Sequence, residues 1–130
     1  MKNITIARPL LLALALAAPF SAPMAARAAP AENVQREVSH LLGFIASSGC
    51  SFYRNGSWSD SSIAEAHVRT KYDYLARNDE IASAGDFIEK AASKSSITGS
   101  AYQVKCGGNP AVASRAWLSE ELARYQSQAR

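Results

Sequence analysis

Cysteine and histidine are scarce in this chain: its 130 residues hold two of each, Cys50 and Cys106, His40 and His67. Two distant cysteines and two isolated histidines make no metal-ligand cluster. The absence of a Cys-x-x-Cys pair removes the usual dithiol redox site. Neither Ser-x-x-Lys nor Gly-x-Ser-x-Gly occurs, so no serine stands in a recognised nucleophile setting. No apolar run approaches the roughly 20 residues needed to span a bilayer. Internal repeats are missing, and low complexity is confined to the alanine-rich beginning.

That beginning reads as a secretory leader. Lys2 and Arg8 supply a charged start, Leu10 to Ala18 an unbroken apolar run between Pro9 and Pro19, and Ala26-Arg27-Ala28 a small-x-small cleavage site. The expected cut follows Ala28 and leaves residues 29–130 as one small domain. Cleavage also cancels the net charge. Lys2, Arg8 and Arg27 leave with the leader, so 11 of the 14 basic residues then face 11 acidic ones. The basic isoelectric point belongs to the leader and implies neither a nucleic-acid nor a membrane partner. In the oxidising compartment that export implies, Cys50 and Cys106 are expected to form a disulfide with Cα atoms about 5–6 Å apart.

The stretch Cys50-Ser51-Phe52-Tyr53-Arg54-Asn55-Gly56-Ser57-Trp58 predicts a hairpin, because Asn55-Gly56 suits the positive φ values of a type I′ turn. Val34, Val38, Leu41, Leu42 and Ile45 recur at helical spacing and predict a helix over 31–48, closed by Gly49. His40 lies off that stripe and reads as solvated. After the hairpin, Ser62 and Glu65 fit a capping box that opens a helix to about Arg77, with Ala64, Val68 and Leu75 facing inward. Ser83 and Asp86 open a third helix burying Phe87, Ile88, Ala91 and Ala92. Tyr102 to Cys106 alternates as a strand that the disulfide sets beside the hairpin, and Ser114 caps a last helix carrying Trp117, Leu118, Leu122 and Tyr125. The expected fold is α+β: about four helices packed on a small antiparallel ribbon of three strands.

Lys71 falls within the apolar stripe of the second helix, and His67 lies one turn before it. If the hairpin packs on that helix, Arg54, Trp58, His67 and Lys71 gather into a binding surface, with Trp58 as apolar anchor and the cations serving an anionic or carbonyl-bearing ligand. The competing structural reading has Lys71 extending its amine to water, His67 hydrogen-bonded at the core boundary, and Trp58 packed on the second helix.

Taken in order, Ser48 to Trp58, Ala66 to Leu75, Phe87-Ile88, Ala92 to Ser96, Tyr102 to Cys106 and Trp117 to Arg124 resemble the YfeK-like family of small periplasmic proteobacterial proteins. That resemblance covers essentially the whole mature chain. It implies compartment and length, and since the family's function is unknown it carries no catalytic residue. A shorter stretch, Thr98-Gly99-Ser100-Ala101-Tyr102, is similar to the Ser-Gly-x-x-Tyr loop of bacterial lysozyme inhibitors, with Thr in place of Ser. It implies a loop in which Thr98, Gly99 and Tyr102 enter an enzyme cleft. The expectation is therefore an exported, non-catalytic envelope or binding protein without cofactor or metal, its partner a periplasmic protein or small ligand. The alternatives are a lysozyme-inhibitor-like protein and a small periplasmic enzyme using His67 and Lys71 or the Ser93–Ser96 loop.

Overall fold

A computed structural model describes residues 29–130 together with 9–23 and residues 3, 5 and 7. Lys2, Arg8 and Ala26-Arg27-Ala28, on which the expectation of a leader rests, lie outside the described residues. Residues 9–23 form no helix or strand, and Leu10, Leu11 and Phe20 are exposed. Among the described residues no helix is long and apolar enough to cross a membrane.

The fold is α+β. Helix α1 (Glu32–Ser47) leads into strands β1 (Ser51–Arg54) and β2 (Ser57–Ser59), then helix α2 (Ser61–Arg77). A short α3 (Ala84–Phe87) runs directly into a π-helical turn (Ile88–Ala92), followed by β3 (Gln103–Lys105), β4 (Val112–Ala113) and α4 (Ser114–Gln128). All strand pairs are antiparallel, in the order β2-β1-β3-β4. The expected three-stranded ribbon thus has a fourth member. Its two residues, Val112 and Ala113, are too few to give an alternation signal, and they pair with Val104 and Gln103 once the Gly107–Pro110 turn folds the chain back.

Local chemistry sets these boundaries. Gly49 ends α1 at φ +65°, a value that favours glycine. Asn55 (φ +49°) and Gly56 (φ +86°) make the tight hairpin. Asp60, rather than Ser62, caps α2: its carboxylate accepts from the Ile63 amide at 2.9 Å and from the Ser62 hydroxyl at 2.8 Å. The nearer acid outcompetes the serine because an ionised acceptor suits the positive end of a helix. Ser83 does cap α3, accepting from the Asp86 amide at 3.0 Å. Ser93 donates its hydroxyl to the Ile88 carbonyl five residues back at 2.6 Å, which accompanies the wider π turn. Ser114 does not cap α4; it is the helix's first residue, and its side chain turns inward.

The helices cover the sheet face that bears Phe52 and Val104. Val38, Leu41, Leu42 and Ile45 of α1 form the centre of the core with Phe87, Ala91 and Leu118. Trp117 closes one side, its ring 4.4 Å from Phe44 and 5.6 Å from Phe52. A second contact joins α1 to α4. His40, read from periodicity as solvated, instead stacks on Tyr125 at 4.0 Å and places Nε2 2.7 Å from Glu121 Oε1. Glu121 is 5% exposed and also accepts from Arg124.

Cys50 and Cys106 are bonded, with a Cα separation of 4.4 Å. This is closer than the expected 5–6 Å for a reason found in the register. Ser51 pairs with Lys105 and Phe52 with Val104, so Cys50 stands directly across from Cys106 at the next rung. Non-hydrogen-bonded rungs of an antiparallel pair bring Cα atoms to about 4.5 Å. The bond closes a loop of sequence separation 56. Loop-closure entropy assigns it about 4 kcal/mol, so reduction is expected to lower the urea midpoint by that equivalent, measured by denaturation with and without dithiothreitol.

Glu121 gives the fold a pH dependence. Its carboxyl is held below the ordinary value of 4.5, first by the hydrogen bond from Arg124 and further by that from His40, against the opposing effect of burial. The lowered folded value means that the ion stabilises the fold above pH 4.5 and that this contribution disappears as the pH falls through the folded value. Glu121→Gln is therefore expected to be less stable than the wild type at pH 7, with the gap closing as unfolding is measured at pH values progressively below 4.5.

Candidate functional site

A cleft opens where the hairpin, α2 and the start of α4 meet. Its walls include Phe52 and Arg54 of β1, Ile63, His67 and Val68 of α2, Tyr102 ahead of β3, and Ser114 and Leu118 of α4. The space open to a water-sized sphere is about 30 Å³. At roughly 10–15 Å³ per water, that is room for two waters or a small chemical group.

Helical spacing places His67 and Lys71 four residues apart on one face of α2. Both converge on Tyr102. His67 Nε2 lies 3.2 Å from the Tyr102 hydroxyl and Lys71 Nζ lies 3.3 Å from it. Lys71 also donates to the Lys94 carbonyl at 2.8 Å and sits 5.0 Å from the centroid of the Tyr102 ring. Tyr102 is buried, and its backbone is fixed on both sides: its amide donates to Ser93 and its carbonyl accepts from the Ser114 amide.

This cluster is electrostatically one-sided. Burial lowers the His67 imidazole below 6.5, and the positive charges of Arg54 and Lys71 lower it further. Burial followed by Arg54 depresses the Lys71 ammonium in the same way. Burial raises the Tyr102 phenol above 10.0, with Arg54 in partial opposition, so it remains a neutral hydroxyl near pH 7. Among the described residues, Arg54 makes no ion pair and Ser114 Oγ, buried at 4% exposure, has no hydrogen-bond partner.

Of the four residues expected to form one surface, the fold gathers Arg54, His67 and Lys71 and leaves out Trp58. Strand parity separates it: Trp58 pairs with Tyr53, so both point to the sheet face opposite Phe52 and Arg54. There Trp58 is 48% exposed, its ring 5.4 Å from that of Tyr53, and it packs on the sheet rather than on α2. The loop expected to enter an enzyme cleft is divided as well. Gly99 is exposed at φ +72°, but the Thr98 hydroxyl donates to Asn55 Oδ1 at 2.9 Å and Tyr102 turns into the core. Ser93 and Ser95 are both buried; Ser93 donates its hydroxyl within the π turn, while Ser95 Oγ accepts from Asn55 and from the Thr98 amide. Among the described residues no group of three or more His, Cys, Asp or Glu could hold a metal ion.

Sequence reading missed two members of the cleft. Tyr102 is expected both as the first residue of an alternating strand and at the end of an exposed inhibitor-like loop, and only its shared parity with Val104 hints at an inward ring. Ser114 was read as a cap, and nothing in a single serine distinguishes capping from lining a cleft.

The family described as "Family of unknown function (DUF5329)" matches residues 32–126, from the start of α1 to near the end of α4. The chain belongs to that family. No curated protein and no solved structure matches the chain. Within this DUF5329 domain the Arg54–His67–Lys71–Tyr102 cluster therefore stands on its own geometry.

Because the folded value of His67 is lowered, the unfolded chain takes up its proton first. This site's contribution to stability is thus complete above pH 6.5 and falls as the pH drops from there through the folded value. NMR titration of the His67 ring is expected to give a midpoint below 6.5. Lys71→Met removes one positive neighbour and is expected to move that midpoint up, though burial keeps it under 6.5.

Proposed function

We propose that this DUF5329 domain is an exported, non-catalytic binding protein of the cell envelope whose ligand is a small molecule held in the cleft beside Tyr102. The observation that carries the reading is that one narrow, largely apolar cleft contains both a Ser114 hydroxyl that is buried and an Arg54 guanidinium, neither of which has a hydrogen-bond or ion-pair partner among the described residues. Buried polar groups are ordinarily hydrogen-bonded, and an exception in a cleft points to something that completes it. The leader-like first 28 residues, the disulfide and the resemblance to YfeK-like periplasmic proteins support export.

Binding is preferred to catalysis because no serine or cysteine stands as a nucleophile against His67 or Lys71. Lys71 is engaged by a backbone carbonyl and Tyr102, and both cysteines are bonded. The inhibitor reading is not preferred, because it needs Tyr102 exposed at a loop tip. Protein recovered from the envelope fraction is expected to begin at Ala29 and to be stabilised against heat by at least one compound in a metabolite screen, with the response weakened in Tyr102→Phe. A chain still beginning at Met1 in the cytoplasmic fraction, or a melting temperature that no compound raises, overturns this reading.

A further inference from the structure

The direction of the hydrogen bonds identifies what the cleft lacks. Lys71 carries only donor hydrogens, so where Nζ meets the Tyr102 hydroxyl at 3.3 Å the lysine donates and the tyrosine oxygen accepts. Tyr102 still has its own hydrogen to give. With His67 Nε2, 3.2 Å away, as its acceptor, the neutral ring carries its hydrogen on Nδ1. The low basicity of this imidazole, with burial and two cations against its proton, agrees with a neutral acceptor.

Each polar group left over is therefore able to donate: the Nδ1–H of His67, the Arg54 guanidinium and the Ser114 hydroxyl. The groups lining the cleft include no carboxylate, and among the described residues Arg54 has no ion pair. The remaining wall, with Ile45, Phe52, Val68 and Leu118, is apolar. Arg54 and Lys71 repel one another and disfavour a charged His67, a cost that a neutral ligand leaves in place and an anion relieves.

We propose that the cleft takes a small organic carboxylate, its oxygens accepting from Arg54 and His67 towards the open side and only the end of its short carbon chain entering the space beside Val68 and Leu118. This assignment rests on the binding reading above. A planar carboxylate matches the guanidinium fork, and the limited space suits a short chain rather than a sugar or a nucleotide.

The test uses the exported domain with three probes of similar reach, butanoate, butanamide and 1-butanol, and with inorganic phosphate, an anion that has no carbon chain. Butanoate is expected to raise the melting temperature saturably and to move the His67 NMR midpoint upward, because a neighbouring anion favours imidazolium. Butanamide and 1-butanol are expected to do neither. Arg54→Gln, at an exposed position, relieves the repulsion of Lys71 and is expected to melt no lower than the wild type without ligand while binding butanoate about 10–100-fold more weakly, the range for a lost hydrogen bond to a charged group.

Equal stabilisation by butanamide or 1-butanol overturns the carboxylate assignment and leaves the binding reading standing. Phosphate binding as tightly as butanoate overturns the place given to the carbon chain. No response to any of the four overturns the assignment, and an uncharged hit in the wider metabolite screen then shows that the binding reading survives without it.

Discussion

The pairing of β1 with β3, locked by Cys50–Cys106, is the constraint on which the rest of the molecule depends. A hairpin of four and three residues cannot hold itself together in water. Adding β3 gives it a second neighbour from about 50 residues away, and the disulfide lies on the rung immediately beyond Ser51 and Lys105. Register propagates from there. With Phe52 opposite Val104, both enter the core, and Tyr102, two residues before Val104 and so on the same face, lies below α2, where Lys71 and His67 reach it. A slip by one residue would reverse each of these faces and carry Val104 out of the core. The covalent bond and the candidate cleft are thus consequences of one alignment.

The two buried polar clusters are solved in opposite ways. Between α1 and α4, the Glu121 carboxylate has a donor on each side, His40 and Arg124, and its charge is balanced where it lies. Such an arrangement has structural sufficiency: nothing more is required to satisfy it. Around Tyr102, among the described residues, three basic side chains collect without an acid and a serine hydroxyl is buried without a partner. Both clusters contain one histidine carried on a helix face, His40 on α1 and His67 on α2. What separates them is charge balance, and it is this difference, rather than the presence of ionisable residues, that makes the second the candidate site.

Most of the fold was legible because its signals are local. Alternation, helical spacing and the Asn55-Gly56 turn depend on residues a few positions apart, and the inward stripes of α1 and of Phe87 to Ala92 were read directly from them. The cluster was half legible: Lys71 stood out because it interrupts an apolar stripe. The partners of these residues were hidden by distance along the chain. His40 meets Glu121 across 81 residues and His67 meets Tyr102 across 35, and no periodicity reports such pairings. The misplacement of Trp58 has a different origin. A large aromatic beside a cation invites a shared surface, but Arg54 and Trp58 lie on opposite faces once the hairpin register is set.

That parity also bears on what kind of protein this architecture supports. Had Trp58 shared the face of Arg54, the cleft would have had a broad aromatic floor suited to a peptide or a large ring. With Trp58 and Tyr53 on the outer face, the interior wall is left to Val68, Leu118 and Phe52, and the enclosed space stays near 30 Å³. A cleft so small restricts its occupant chiefly through charge and hydrogen-bond sense, since it has little surface with which to discriminate shape. On the binding reading, the arginine at the end of β1 and the tyrosine before β3 would govern selectivity more than the apolar wall does, and both are held in place by the strand pairing that the disulfide locks.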